Sequence, residues 1–408
     1  MTQAELETRW HRREFLFGAG GTSLAALLTS SCSRPAAPQT TGSWAGPDPV
    51  LRFPGKVPMR VIDDRPPCLE TPWRFYRQDL TPNEAFYVRW HLQTVPTTID
   101  TRTYRLKMGG HVASPLELSL DDLRNMGGQS VVAVNQCSGN SRGLFAPRLS
   151  GAQWANGAMG NARWTGVPLR DLLRRAKIKA GAVQVVFDGL DEGPLPSVPD
   201  FQKALDADHA LSTEPLVAYE MNGKPLPLLN GFPCRLVVPG WYATYWVKAL
   251  AEITVLAQPF KGYWMTSAYK IPTTLNAVES PDRLGSETVP IHRMNVRSFF
   301  TTPDAEASLP VDRPVALDGI AFDGGDGIRS VEISADGGAT WELAHLGDDL
   351  GKFSFRRWRL TWTPKAKGEV RLKVKATSNS GQTQPAEAGW NRGGFMRNVI
   401  EELPLTVA

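Results

Sequence analysis

The sequence predicts an α+β domain over residues 59–292, followed by an all-β, immunoglobulin-like sandwich domain over residues 293–408. The chain has 408 residues, which exceeds the roughly 250 to 300 residues that a single hydrophobic core supports. Before residue 293, short strands and short helices are mixed without a regular βαβ alternation. After it, short alternating strands are separated by turns such as Asp323-Gly324-Gly325, a pattern typical of a sandwich of about 100 residues.

The clearest helix of the first domain is predicted over residues 168–177, with proline in the first turn and basic residues in the last. A shorter helix is predicted over residues 119–125, with Ser119 as its N-cap. Strands are predicted from alternating or continuous apolar runs at residues 85–92, 104–108, 129–134, 183–191, 216–221, 235–238 and 246–255. In the second domain they are predicted at residues 315–320, 330–334, 341–346, 355–362 and 369–376.

The N-terminus has the pattern of a twin-arginine export signal, predicted over residues 1–33. Arg12 and Arg13 precede a short run rich in glycine, alanine and leucine, which predicts export to the periplasm. Because that route carries folded proteins, the signal also suggests a bound cofactor. The alternative to an export signal is a chance arginine pair before an amphipathic helix. Cys32 is a separate candidate for lipidation, which Thr29 disfavours. Residues 34–58 are rich in Pro, Gly, Ser and Thr and predict a linker or extended arm.

Charge and composition exclude several classes of function. A net charge of +4 is too small and too dispersed for nucleic-acid binding, but it suits a small anionic substrate. No stretch reaches the ~18 apolar residues of a membrane-spanning helix. No Cys-x-x-Cys-His occurs, so no covalently attached haem is predicted. Three cysteines follow the signal, Cys68, Cys137 and Cys234, so at least one is unpaired; we interpret Cys68 and Cys234 as buried or paired with each other.

Cys137 is the first candidate functional residue. The run Val131 to Leu144 reads Val-Val-Ala-Val-Asn-Gln-Cys-Ser-Gly-Asn-Ser-Arg-Gly-Leu, an apolar strand that ends in a glycine-bearing turn. A thiol at this junction can face a cleft, and Arg142 is close enough in sequence to hold it, or an anion, in a positive field. The alternative is that Cys137 is a buried small apolar residue.

The predicted strand at residues 85–92 supplies a second candidate. With a period of two, Tyr87, Arg89 and His91 share one face, and the other face is wholly apolar. A guanidinium beside an imidazole favours a lined pocket, although a solvent-facing polar face is the alternative.

Several motifs in order resemble the sulfite oxidase family, and most closely its bacterial periplasmic sulfite dehydrogenases. They are Asn-Gln-Cys-Ser-Gly-Asn-Ser-Arg-Gly at residues 135–143, Trp-Thr-Gly-Val-Pro-Leu at 164–169, Ala-Tyr-Glu-Met-Asn-Gly-Lys-Pro-Leu-Pro at 218–227 and Gly-Phe-Pro-Cys-Arg at 231–235. The segment 331–341 resembles the C-terminal dimerisation domain of that family. The resemblance thus assigns residues 59–292 to a molybdenum-cofactor (molybdopterin-binding) domain of sulfite oxidase type.

The resemblance implies a sulfite:cytochrome c oxidoreductase that holds molybdenum with molybdopterin, dioxo Mo(VI) when oxidised. Cys137 matches the thiolate ligand of the metal. The implied catalytic residues are Arg89, His91, Arg142 and Tyr269, and the implied cofactor contacts are Tyr87, Arg89, His91, Asp191, Asn230, Arg235, Trp246 and Lys248. The implied partners are sulfite, a separate c-type cytochrome and a second copy of the chain, bound through the C-terminal domain.

One position departs from the family pattern. Vertebrate and plant members carry an arginine near the C-terminus that completes an anion pocket, and here Gly393 falls at that position. Arg392 would replace it only if the loop shifts, so we expect a pocket built mainly from Arg89, His91, Arg142 and Tyr269. The alternatives are a sulfane dehydrogenase or a methionine sulfoxide reductase of the same superfamily and, from another class, an exported immunoglobulin-like binding protein without a metal.

Overall fold

The computed structural model describes residues 53–408. The predicted export signal, with Cys32, and most of the predicted linker lie outside the described residues. Within residues 53–408, no helix combines the length and the apolar character that a membrane crossing requires.

Strands dominate the first part of the described chain. In chain order its elements are β1 (Arg60–Asp64), β2 (Pro67–Glu70), β3 (Val88–Arg89), β4 (Leu106–Gly110), β5 (Leu116–Leu118), α1 (Leu120–Asn125), β6 (Gln129–Gln136), β7 (Met159–Pro168), α2 (Leu169–Arg175), β8 (Gln184–Gly189), β9 (Lys203–Asp206), α3 (Ala207–Ala210), β10 (Leu216–Met221), β11 (Lys224–Pro225), β12 (Arg235–Val237), β13 (Leu250–Leu256), α4 (Tyr263–Thr266), β14 (Lys270–Pro272) and β15 (Thr288–Pro290).

The two predicted helices are present and short. Ser119 caps α1: its hydroxyl accepts a hydrogen bond from the Asp122 amide, and the Asp122 carboxylate accepts one from the Ser119 amide. This capping box satisfies two amides that the helix leaves unpaired. Because α2, the longest helix within residues 53–408, has seven residues, the domain is mostly β and contains less helix than the α+β prediction implies.

Cys137 directly follows β6, an edge strand of a sheet in the first domain. β6 pairs antiparallel with β7 from Gln129 opposite Gly166 to Gln136 opposite Met159. This sheet has the order β11-β10-β7-β6, with β12 also paired to β10, and a second sheet has the order β5-β4-β13-β8-β9. Apolar side chains of both sheets share one core, which fixes the end of β6 and the cysteine that follows it.

The strand predicted over residues 85–92 is much shorter in the structure. Only β3 pairs, with Arg89 opposite Cys68 of β2. Before β3, the Tyr87 amide donates to the Thr71 hydroxyl. After it, the Trp90 amide donates to the carbonyl of Pro67, the first residue of β2. The alternation of faces is nonetheless as predicted, because Tyr87, Arg89 and His91 line one cavity.

The C-terminal part of the chain contains strands without a described helix. They are β16 (Arg297–Thr302), β17 (Ser308–Leu309), β18 (Val315–Phe322), β19 (Ile328–Ser334), β20 (Glu342–Leu343), β21 (His345–Leu346), β22 (Arg356–Trp362), β23 (Gly368–Ser378) and β24 (Glu401–Val407). They form sheets of the order β16-β18-β22-β21 and β17-β24-β23-β19-β20 around a separate core that includes Leu317, Val331 and Trp358. The immunoglobulin-like description of this domain stays a prediction.

The two parts are packed together. Phe299, Phe322, Phe353 and Phe355 join the core of the first domain, and the Val134 amide of β6 donates to the Phe353 carbonyl over 2.9 Å. The C-terminal strands therefore support the strand that leads to Cys137.

Gly319 of β18 is a point where the C-terminal domain tolerates no side chain. A Cβ there would lie 2.1 Å from the Phe299 carbonyl oxygen and 2.1 Å from the Trp358 ring. We expect Gly319→Ala to lower the free energy of unfolding by about 3 kcal/mol, because overpacking displaces backbone or a buried ring. The control is Gly109→Ala in β4, where a Cβ meets nothing within 4 Å. Equal melting temperatures of the two variants would contradict the assigned packing.

Candidate active site

A cavity of about 400 Å³, including open solvent at its mouth, lies at the end of β6. Its lining contains three cations, Arg89, Arg235 and Lys248, and no carboxylate. Eight of the residues implied by the resemblance line it: Tyr87, Arg89, His91, Cys137, Asn230, Arg235, Lys248 and Tyr269. The sequence analysis did not single out the other lining residues, Asn135, Ser138, Leu229, Ala243 and Thr244.

The Cys137 loop is fixed by backbone hydrogen bonds. The Cys137 amide donates to the Ala158 carbonyl over 2.9 Å, and the Cys137 carbonyl accepts from the Asn140 amide over 3.0 Å. The Asn140 side-chain oxygen accepts from the Ala158 amide over 2.9 Å. The thiol is buried and free, and this loop holds it against the cavity.

His91 and Tyr269 form a hydrogen-bonded pair in the cavity wall. The Tyr269 Oη lies 2.5 Å from His91 Nε2, and the imidazole stacks on Phe201 with 3.6 Å between ring centroids. Burial, followed by the charges of Arg89 and Lys248, holds the pKa of His91 well below its usual value. The imidazole is therefore neutral at neutral pH. Burial also raises the pKa of Tyr269, so both partners are uncharged.

Arg89 is held through both its side chain and its own backbone carbonyl. Its guanidinium donates to the Trp90 carbonyl and lies 3.6 Å from the Cys68 sulfur. Its own carbonyl accepts a hydrogen bond from Lys248 Nζ over 2.6 Å. Two cations are thus fixed side by side along one wall of the cavity.

Arg142 is not a lining residue of the cavity. Its Nε and Nη2 donate to the Gly393 carbonyl over 3.2 and 2.9 Å, and its guanidinium lies over the Phe395 ring, 5.1 Å from the centroid. Phe395 in turn stacks on Tyr269, with 5.3 Å between centroids. Arg142 therefore stands behind an aromatic wall, although the resemblance implies a direct catalytic role for it.

Arg392 does not close the anion pocket. Its guanidinium forms a two-pronged ion pair with Glu279, with distances of 2.9 and 2.7 Å, and donates to the Gly285 carbonyl over 2.6 Å. The side chain of Glu279 is only 1% exposed. The Arg392 guanidinium is therefore ion-paired with Glu279 outside the pocket. This agrees with the expectation that Arg392 is not part of the pocket.

Asp191 and Trp246 lie behind the lining rather than in it. The Trp246 ring is buried and packs near the Arg235 guanidinium, 5.8 Å from its centroid, while its Nε1 donates to the Trp241 carbonyl over 3.0 Å. Asp191 is buried; burial raises its pKa, and the nearby charge of Lys248 opposes that rise. Asp191 acts on Lys248 and Trp246 packs near Arg235, so both residues support cations of the cavity from outside its lining.

The pairing proposed as one alternative for Cys68 and Cys234 is wrong. Both thiols are buried and free, because each packs against a different partner: Cys68 against Arg89, and Cys234 against Tyr104 Oη at 3.1 Å. The other alternative, that both are simply buried, is confirmed.

The cavity fits an anionic group with many hydrogen-bond acceptors. Four buried polar atoms have no hydrogen-bond partner among the described residues and belong to lining residues: Asn135 Nδ2, Ser138 Oγ, Arg235 Nε and Thr244 Oγ1. An unsatisfied buried polar group costs about 1–3 kcal/mol, so such a cluster points to a ligand. The phosphate and the polar ring atoms of molybdopterin suit these donors, and the Cys137 thiolate is a soft ligand for a redox metal. The site is therefore of the class that holds a redox metal with an anionic organic cofactor.

Comparison with known proteins identifies the family. The chain matches the model of the oxidoreductase molybdopterin binding domain over residues 91–264 and that of the Mo-co oxidoreductase dimerisation domain over residues 288–404. It is 32% identical to mitochondrial sulfite oxidase of Mus musculus over 381 residues, covering 88% of this chain and 68% of that protein. It is 33% identical to sulfite oxidase of Gallus gallus over 379 residues, covering 89% and 80%. The chain belongs to the sulfite oxidase family and is a molybdenum oxidoreductase.

A solved structure supports the fold. The sulfane dehydrogenase SoxCD from Paracoccus pantotrophus superposes with a TM-score of 0.70 at 23% identity, covering 87% of this chain and 86% of that chain. The predicted membership of the sulfite oxidase family is confirmed, as are the molybdopterin-binding type of the first domain and the dimerisation type of the second. The role of each site residue stays a prediction.

Sequence reasoning missed the outer layer of the site. Phe201, Lys203 and Trp264 surround His91 and Tyr269. They lie just before β9, on β9 and on α4, where nothing in the local sequence indicates chemistry. Asn135 and Ser138 did carry a signal, because both belong to the quoted motif around Cys137.

The ion pair between Glu279 and Arg392 predicts a defined pH dependence of stability. Hydrogen bonds from the Arg392 side chain lower the pKa of Glu279 to about 2. The unfolded chain therefore binds a proton at higher pH than the folded chain, so the stabilisation is complete above pH ~4.5 and is lost as the pH falls toward 2. We expect Glu279→Gln to lower the free energy of unfolding by about 1–2 kcal/mol at pH 7, since Arg392 is partly exposed.

Urea unfolding of wild type and Glu279→Gln at pH 7, 5 and 3.5 measures this effect. The difference between the two proteins should be equal at pH 7 and 5 and smaller at pH 3.5. A difference that grows as the pH falls would contradict the assigned pair.

Proposed function

We propose that this protein is a periplasmic sulfite dehydrogenase that oxidises sulfite to sulfate and passes the electrons to a c-type cytochrome. The observation that carries the proposal is the cationic cavity in which the Cys137 thiol lies with Arg89, His91 and Tyr269. Sulfite is a small, heavily hydrated oxyanion, and fixed N–H and O–H donors replace its water with directed hydrogen bonds. Relatives that are 32–33% identical and are named sulfite oxidases support the same substrate.

The residues of the chain bind and orient the substrate. The Arg89 guanidinium is fixed by the Trp90 carbonyl and the Cys68 sulfur, so it meets the anion with little reorganisation. The neutral His91 is hydrogen-bonded to Tyr269 Oη. In the tautomer in which His91 Nε2–H donates to that oxygen, the Tyr269 O–H donates to an oxygen of the bound anion. When bound, the molybdenum cofactor supplies two-electron oxygen-atom transfer, and the protein supplies position and field.

The sequence supports the proposed electron acceptor and the proposed location. No Cys-x-x-Cys-His occurs in the chain, which favours a separate cytochrome as the acceptor of single electrons. The twin-arginine pattern at Arg12 and Arg13 supports export to the periplasm. The match to a dimerisation domain over residues 288–404 supports a homodimer.

Other substrates define the alternatives. A sulfane dehydrogenase or a methionine sulfoxide reductase would use the same cofactor. The superposition on the sulfane dehydrogenase SoxCD concerns the fold, at 23% identity, and does not favour its substrate. An exported binding protein without a metal would leave the unsatisfied donors of the cavity without a ligand.

The decisive experiment measures metal content together with activity. We expect the purified protein to contain molybdenum and pterin and to reduce a c-type cytochrome when sulfite is added. Cys137→Ser should lose both molybdenum and activity, because a hydroxyl is a poor ligand where a soft thiolate is required. Cys234→Ser, which changes a buried free thiol away from the cavity, is the control. Activity with methionine sulfoxide or a sulfane substrate and none with sulfite would overturn the proposal.

Two arginines test the anion pocket. We expect Arg89→Gln to raise the KM for sulfite by about tenfold or more, because a charge-assisted contact to the anion is lost. Arg142→Gln should also raise KM, by loosening the wall formed by Phe395 and Tyr269. The control is Arg102→Gln, since the Arg102 side chain is 88% exposed. Unchanged steady-state kinetics in both Arg89→Gln and Arg142→Gln would defeat the assigned pocket.

A further inference from the structure

Lys203 is a fully buried cation in the wall behind the cavity. Its side chain is on β9, and the residue is 0% exposed. The Nζ donates to the Trp264 carbonyl over 2.7 Å. It also lies over two aromatic rings, 4.6 Å from the centroid of Tyr245 and 5.4 Å from that of Tyr269.

No carboxylate compensates this charge. Among the described residues, no acidic side chain lies within ion-pair distance of Lys203 Nζ, and burial is the cause that lowers its pKa to about 7. A buried ammonium without an ionic partner is costly. One carbonyl oxygen and two ring faces only partly replace its water, so an anion nearby would relieve the cost.

The field of Lys203 reaches the cavity. Its charge is one of the causes that depress the pKa of His91, and His91 lines the cavity. Tyr269, whose ring Lys203 contacts, also lines it. The buried protein around Lys203 has a low dielectric constant and screens its charge weakly. The positive potential that reaches these two side chains therefore also reaches a ligand that contacts them.

We infer that Lys203 supplies positive potential to the anion-binding end of the cavity from behind Tyr269. It thereby provides a charge that the loop at Gly393 does not, since Arg392 is paired with Glu279. The inference rests on the proposed oxyanion substrate. Lys203 itself does not line the cavity and acts through space and through the tyrosine ring, so it is a positioning residue and not a catalytic one.

The charge of Lys203 should be strongest below neutral pH. Because its pKa is lowered to about 7 by burial, the ammonium is present at pH 6 and largely absent at pH 8.5. The other titratable groups that face it are Tyr245 and Tyr269, with His91 beyond them. Arg89 and Lys248 also act on His91. Wild type and variants share these groups, so a ratio taken at one pH removes their common contribution, and the change in the His91 pKa is measured separately by NMR.

The test compares three substitutions in the holoenzyme. Lys203→Met removes both charge and hydrogen bond, Lys203→Gln keeps a donor for the Trp264 carbonyl without the charge, and Lys203→Arg keeps the charge. Lys261→Met, on the exposed segment before α4, changes net charge equally and is the control. The probe is inorganic sulfate, which does not titrate in this pH range, and its Kd for the oxidised enzyme is measured by calorimetry at pH 6 and 8.5.

We expect Lys203→Met and Lys203→Gln to weaken sulfate binding about tenfold at pH 6 and by less than about twofold at pH 8.5. Lys203→Arg and Lys261→Met should bind sulfate as wild type does at pH 6. The KM for sulfite should rise in the same two variants with kcat changed less. The His91 imidazole, followed by NMR, should titrate at higher pH in both, because a like charge has been removed.

Three results would overturn the inference. Wild-type sulfate binding by Lys203→Gln would show that the hydrogen bond and not the charge matters. Equal binding by all variants would show that Lys203 has no effect on the cavity. An equal loss at pH 6 and pH 8.5 would indicate a structural defect. If Lys203→Met does not fold, Lys203→Gln carries the same comparison. Sulfate binding requires no turnover of sulfite, so failure of the proposed substrate is seen separately, in the sulfite assay.

Discussion

Burial of positive charge around one cavity is the constraint on which the rest of this structure depends. Arg89, Arg235 and Lys248 line the cavity, and Lys203 lies in the wall behind it. Within residues 53–408, the buried carboxylate that opposes these charges is Asp191, which acts on Lys248. Removing several cations from water with so little compensation is costly. The chain reduces that cost with backbone carbonyl oxygens. The negative charge of the cofactor that this family binds offsets the remainder. Cofactor and fold are therefore energetically coupled.

The C-terminal domain takes part in building the site as well as in the assembly that its family name describes. The Met396 amide donates to the carbonyl of Ser138, the residue after Cys137, over 3.0 Å. Arg297 of β16 is buried between the domains, where it pairs with Glu401 and donates to Ser141 of the Cys137 loop over 3.0 Å. A change in the C-terminal domain that shifts Met396 or Arg297 would therefore move the loop that carries the thiol, even where the changed residue does not contact the substrate.

The fold and the centre of the site could be predicted because their signals are local. Apolar runs that end in turns predicted the strand before Cys137, and alternation placed Arg89 and His91 on one face. Strand β7 was missed because its glycines, Gly160 and Gly166, interrupt the apolar pattern. Each is required by contacts distant in sequence, since a Cβ on Gly166 would lie 2.1 Å from the Val217 carbonyl. Tertiary contacts of this kind, like the cation behind Tyr269, leave no periodic trace in the sequence.

The backbone of Tyr269 shows how these distant contacts act together. Its φ is +54°, a left-handed conformation that costs a bulky residue energy and persists only where the surroundings determine it. Phe395 stacks on the ring, His91 holds the hydroxyl, and Lys203 lies against the ring. These partners come from the C-terminal domain, from the segment after β3 and from β9. No one of them is adjacent to Tyr269 in sequence, so the position of its hydroxyl in the cavity is a property of the packed molecule as a whole.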